Sequence, residues 1–107
     1  MAETPYIQSE TELDELIANE SVVVVDCTAS WCGPCKLVSP LIDQLNEAYS
    51  DRAQVRKLDL DQNKPVAKRF EIKSIPAVMF FKGGEKVETL VGAKTYDEYS
   101  AELEKHL

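Results

Sequence analysis

Two rhythms of apolar and polar residues run along this chain, and the changes between them mark its elements. Leu13, Leu16 and Ile17 recur at helical spacing behind Ser9-Glu10-Thr11-Glu12, which reads as a capping box with Ser9 at the cap and Glu12 reaching back. Val22 to Cys27 is apolar on both alternations apart from Asp26, the pattern of a strand covered on both faces. Leu37, Val38, Leu41, Ile42, Leu45, Ala48 and Tyr49 return to helical spacing. This helix is expected to begin near Pro34, where a missing N–H costs nothing, and to kink at Pro40.

Gln54 to Leu60 predicts a further strand through Val55, Leu58 and Leu60. Lys64 to Glu71 predicts a short helix with Pro65 in its first turn and Val66, Ala67 and Phe70 facing inward. Ile75-Pro76 opens a strand from Ala77 to Phe81, and Gly83-Gly84 signals a hairpin into Val87 to Val91, because glycine accepts positive φ. Gly92 ends that strand, and Thr95-Tyr96-Asp97-Glu98 is a second capping box ahead of a final helix through Tyr99 and Leu103. Tyr6-Ile7-Gln8 is a candidate edge strand. The predicted order is β-α-β-α-β-α-β-β-α. Parallel crossovers early and an antiparallel hairpin late make an α/β fold, a mixed central sheet of about five strands with four helices on both faces.

Composition narrows the classes. A chain of 107 residues supports one compact domain, 1–107, and is too short for two. The net charge is −7 and the pI about 4.7, which argues against nucleic acid and against a polybasic membrane contact. Met1-Ala2-Glu3-Thr4-Pro5 has neither a basic nor an apolar leader segment, so no secretory signal is expected, and no apolar run approaches membrane-spanning length. Three cysteines is an odd count, wrong for a stapled secreted framework. A reducing, cytoplasmic location is expected.

The chemistry concentrates in Trp31-Cys32-Gly33-Pro34-Cys35-Lys36, where the first apolar strand gives way to a helix. A cysteine there faces unpaired backbone N–H groups and the positive end of the helix dipole, which favours the nucleophilic thiolate. A thiol of pKa near 8.5 is only about 3% ionised at pH 7, and lowering it to about 7 gives roughly half. Cys35 lies one turn further on, so the pair can close or open a disulfide without moving the fold. This reads as a thiol–disulfide exchange site. A zinc site needs four ligands, and this chain offers one C-x-x-C, a distant Cys27 and a terminal His106, so no metal is expected unless two chains share one. No Gly-rich nucleotide fingerprint is present, and no cofactor is expected.

With these features in order, the chain resembles the thioredoxin family along nearly its whole length. The resemblance is carried by the Trp31 to Lys36 run, Asp26, Lys57-Leu58-Asp59, Ile75-Pro76, Gly83-Gly84 and Val91-Gly92. Cys27 and Thr28 depart from the pattern, because an aromatic pair usually follows the acid. The resemblance implies a thioredoxin fold and a protein-disulfide reductase, a thiol–disulfide oxidoreductase acting as an electron carrier. It implies Cys32 as nucleophile and Cys35 as resolving thiol. It also implies re-reduction by a separate thioredoxin reductase, NADPH- or ferredoxin-linked, and a monomeric state.

Other roles stand beside plainer readings. Asp26, taken alone, is a hydrogen-bonded carboxylate in a strand; the resemblance implies a general base for Cys35. Lys57, taken alone, is a solvated strand lysine; the resemblance implies a charge partner of Asp26. Gly33 and Pro34 tune redox balance, and strongly oxidising relatives carry a His between the cysteines, so reduction is implied here. Pro76 is an ordinary strand-start proline or, by resemblance, a cis-proline facing the cysteines and exposing the backbone of Ile75 to a substrate strand. Trp31, Ile75, Pro76, Val91, Gly92 and Ala93 are either routine packing or the rim that binds protein disulfide substrates. Cys27 is expected to be inert, His106 to favour a helix end, and Asp59 and Asp61 to form a solvated turn. Two rival functions keep the same fold: a non-catalytic binding subunit, and a dedicated electron donor to one enzyme.

Overall fold

The computed structural model describes residues 3–107. Met1 and Ala2, where the leader reading begins, lie outside the described residues. The elements are α1 (Glu10–Asn19), β1 (Val22–Thr28), α2 (Gly33–Tyr49), β2 (Gln54–Asp59), α3 (Lys64–Arg69), β3 (Ala77–Lys82), β4 (Glu85–Val91) and α4 (Tyr96–Glu104). The sheet order is β2-β1-β3-β4, with β1 parallel to β2 and antiparallel to β3, and β3 antiparallel to β4.

The double alternation of β1 is explained by what covers it. Val22 and Val24 pack with Val38, Ile42 and Leu45 of α2 and with Tyr99 and Leu103 of α4. Val23, Val25 and Cys27 pack the other way, with Leu13 and Ile17 of α1 and Val66 of α3. Two apolar layers therefore sandwich one sheet. Burial of each large aliphatic side chain contributes on the order of 1.5–3 kcal/mol, and these layers are the main favourable term in the fold. Asp26 is the single charged residue placed on the α2–α4 side of β1.

The expectation of about five strands is corrected to four among the described residues. Tyr6 forms only an isolated parallel bridge to Lys57, through Ile7 N–H to Lys57 O at 2.8 Å and Lys57 N–H to Pro5 O at 3.0 Å. Pro5 has no N–H to offer and Ser9 already caps α1, so the ladder has no room to lengthen. The first capping box is also only half formed. Ser9 Oγ accepts from Glu12 N–H at 3.1 Å, but Glu12 reaches back to Gln8 N–H rather than to Ser9. The Thr95–Glu98 box is complete.

Helix α3 stops at Arg69, short of the predicted Glu71. Glu71 takes φ 54°, and Ile72 N–H turns back to Ala67 O at 2.9 Å, a left-handed helix end that no periodicity reports. Helix α2 is continuous through Pro40. The β3–β4 turn has Gly83 and Gly84 at φ 59° and 87°, the paired positive values of a tight hairpin.

Candidate active site

The site lies where β1 ends and α2 begins. Cys32 is the residue capping α2, and its Sγ accepts from Cys35 N–H at 3.2 Å. A sulfur in that position meets the unpaired donors and dipole of the first helical turn, the setting that stabilises a thiolate. Pro34 sits in the first turn without interrupting a hydrogen bond. Cys32 and Cys35 are joined in a disulfide with Cα atoms 5.4 Å apart. Their exposures, 4% and 2%, do not tell them apart, so the capping position alone singles out Cys32.

Ala29, Cys32 and Cys35 form one small buried cluster, and Ile75 packs against it. The Ile75–Pro76 peptide is cis. Gly92 N–H donates to Pro76 O at 2.8 Å, and Ala77 pairs with Val91, so the end of β4 stands beside the proline. Trp31 is 71% exposed, and Val91 and Ala93 are exposed as well. A Cβ added at Gly33 would meet nothing within 4 Å, so internal packing does not require glycine there.

Asp26 and Lys57 are register partners on adjacent strands, on the side covered by α2. Asp26 is 1% exposed, and its Oδ1 has no hydrogen-bond partner among the described residues. Burial pushes its carboxyl up to about 7, against the pull of Lys57, with the negative charge of Asp43 adding to the rise. Lys57 does not bond to Asp26. Its Nζ pairs with Asp43 Oδ1 at 2.9 Å and donates to Ser39 Oγ at 2.7 Å. Lys57 is buried, not the solvated strand lysine of the plainer reading.

Sequence reasoning passed over three residues. Asp61, expected in a solvated turn with Asp59, accepts the Trp31 indole N–H at 2.9 Å and so braces the residue before the disulfide. Asp59 keeps a local role, accepting from Asp61 N–H and Gln62 N–H. Ser39 and Asp43 are the anchors of Lys57. Their spacing from Cys35, four and eight residues along α2, was a usable signal, since such positions share one helical face. A cleft of about 520 Å3, lined among others by Thr28, Cys35, Ser39 and Asn63, opens beside the site. Cys27 is fully covered, and burial followed by the nearby Asp26 charge pushes its thiol well above the ordinary range. His106 Nε2 pairs with Glu102 at 2.9 Å, far from the sulfurs in the sequence and on α4's end.

A C-x-x-C disulfide capping a helix, on a mixed sheet with a cis-proline strand nearby, defines a thiol–disulfide oxidoreductase. The thioredoxin family model matches residues 4–105. A thioredoxin of Synechocystis sp. is 37% identical over 107 residues, covering all of both chains, and thioredoxin 1 of Nostoc sp. is 39% identical over the same span and coverage. The structure of a mutant thioredoxin from Halobacterium salinarum superposes with a TM-score of 0.90 at 35% identity, covering 97% of this chain and 90% of that one. This chain belongs to the thioredoxin family. Its function is that of a protein-disulfide reductase working through Cys32 and Cys35.

Proposed function

We propose that target disulfides are reduced in two displacements, with Cys32 attacking and Cys35 resolving. The Cys32 thiolate bonds to one target sulfur, and the other target sulfur leaves as a thiolate. Cys35, once deprotonated, attacks Cys32 Sγ and expels the second target thiolate. The protein dithiol becomes the disulfide, and the target gains two electrons and takes up two protons as its thiols. The observation that carries this reading is the Cys35 N–H bond to Cys32 Sγ at the head of α2, which favours charge on Cys32.

Asp26 takes the Cys35 proton. A carboxyl titrating near 7 can hold or release a proton at neutral pH, and a general base works best when so placed. Lys57 tempers that carboxyl by its charge. Gly33 and Pro34 hold the loop in a form that favours the closed disulfide, so the dithiol readily gives its electrons to a target. Trp31, Ile75, Pro76, Val91, Gly92 and Ala93 receive an extended segment of the target, with the Ile75 backbone pairing to it as an added strand.

The oxidised form is returned to dithiol by a thioredoxin reductase, NADPH- or ferredoxin-linked, docking on that same rim. The protein works as a single-domain monomer in the cytoplasm on many clients.

The test is insulin-disulfide reduction with dithiothreitol as electron source, alongside trapping by a Cys35→Ser variant. Acceleration over dithiothreitol alone, and covalent capture of many proteins through Cys32, are expected. No acceleration would reject the reductase reading, and capture of a single protein would replace a general reductase with a dedicated donor.

A further inference from the structure

Cys35, Ser39 and Asp43 fall four residues apart on α2 and share one face of that helix. Across from this row stand Asp26 of β1 and Lys57 of β2, in register with each other. Lys57 has two acidic neighbours to choose between. Its ammonium sits on Asp43 Oδ1 at 2.9 Å and on Ser39 Oγ at 2.7 Å, while Asp26 Oδ1 is left with no hydrogen-bond partner among the described residues. The same Asp43 oxygen accepts from Thr4 N–H at 3.1 Å and from Thr4 Oγ at 2.7 Å, so it is fixed from a third side by the segment preceding α1.

An ammonium can be shared or surrendered, and its position decides what a nearby carboxyl feels. Partial burial pushes the Asp43 carboxyl up, but the bonds from Lys57 and Thr4 outweigh it and hold the group below its ordinary value, so it stays an anion. An ionised acceptor with three donors is a strong anchor. A Lys57 turned toward Asp26 would give that carboxyl a direct cationic donor in a buried setting and hold it ionised at neutral pH.

We propose that Asp43, assisted by Ser39, is a positioning residue of the thiol chemistry: it holds the Lys57 ammonium on the α2 side and so leaves Asp26 without a direct cationic partner. The consequence is that Asp26 keeps a proton-exchanging carboxyl instead of forming a static ion pair. The proposal rests on the reading of Asp26 as the base for Cys35, and it adds the residue that keeps the base fit for use. Other groups facing Asp26 do not do this work. Val78 of β3 is apolar, Tyr99 of α4 is uncharged at neutral pH, and Cys27 belongs to the opposite layer of the sheet.

The experiment follows the Asp26 side-chain carboxyl by carbon NMR against pH in the full oxidised chain. Asp43→Asn should lower the Asp26 midpoint, strengthening its acidity by roughly tenfold or more. Ser39→Ala, which changes no charge, should move it the same way by a smaller step, and Asp43→Glu should restore the parent midpoint. Asp43→Asn also removes a negative charge acting directly on Asp26, so the same change is made in a Lys57→Met background. There the shift should shrink markedly, because no ammonium remains to be redirected. Equal shifts in both backgrounds, or no shift in either, would overturn the proposal. This readout does not depend on thiol reactivity. The base assignment fails separately, if Asp26→Asn leaves the pH profile of mixed-disulfide release unchanged.

Discussion

Trp31 donates its indole N–H to Asp61 at 2.9 Å, tying the residue before the disulfide to the turn after β2, thirty positions along the chain. The contact follows from register. Thr28 pairs with Asp59 at the ends of two parallel strands, so the loops leaving those strands run side by side. Trp31 is otherwise mostly exposed, and this bond is its one polar restraint among the described residues.

Removing the acceptor should loosen the ring while leaving the sulfurs in place. Asp61→Ala is expected to lower kcat/KM in insulin reduction by roughly fivefold, the equivalent of about 1 kcal/mol for a lost hydrogen bond. Stability should fall by less than about 1 kcal/mol, because the bond is exposed. Trp31 is the only tryptophan, so its fluorescence reports the ring directly. Unchanged emission with unchanged turnover would show that the restraint is idle.

The pH dependence of stability follows from Asp26. Its carboxyl is raised from 3.8 to about 7 by burial, so between those values the unfolded chain has released the proton that the folded chain still holds. The unfolded state then binds fewer protons, and stability falls as pH rises through that window. Asn keeps the shape and carries no charge. Asp26→Asn should therefore exceed the parent in stability by on the order of 4 kcal/mol at pH 8, with the gap closing near pH 3. Urea unfolding at several pH values measures this, and a gap that does not widen with pH contradicts the assignment.

Cys27 supplies an internal control. Its side chain is fully covered between β1 and the α1–α3 layer, and its thiol is held protonated by burial. In reduced protein, iodoacetamide should label Cys32 and Cys35 and leave Cys27 untouched, because thiolate and access are both needed. Labelling of Cys27 should begin only as denaturant opens the fold. Peptide mass mapping at rising urea gives the answer, and early labelling would mean that the layer over β1 opens locally.

What the sequence made legible divides by range. The apolar rhythms of β1, α2 and β3 announced their elements because burial on one or both faces imposes a period on neighbouring residues. The cysteine pair was legible because its chemistry is local, three residues apart at a strand-to-helix junction. Tyr6 to Gln8 misled because three residues can carry a strand's pattern yet make only one bridge. Asp61, Ser39 and Asp43 were not legible as partners of Trp31 and Lys57. Their roles depend on which carboxylate the β1–β2 register and the packing of α2 bring within reach; the spacing from Cys35 marks one shared helical face for Ser39 and Asp43, but not the strand lysine that meets it.

Thr28 offers the last test, because it stands at the end of β1 on the lining of the cleft of about 520 Å3 that also includes Cys35 and Ser39. An aromatic residue is customary there in the family this chain resembles, and a ring would occupy space that Thr28 leaves open. Thr28 is half-buried, so a larger side chain can extend along the cleft without displacing the apolar layer beneath α2. Thr28→Trp is expected to raise stability by about 1–2 kcal/mol through added apolar burial. It should also slow alkylation of Cys35 in the reduced protein several-fold, since the cleft that Cys35 lines would be filled, while Cys32 labelling stays unchanged. Urea unfolding and site-resolved alkylation read both effects. A destabilised variant, or a Cys35 rate equal to the parent's, would show that the cleft does not accept the ring and that Thr28 is there for packing alone.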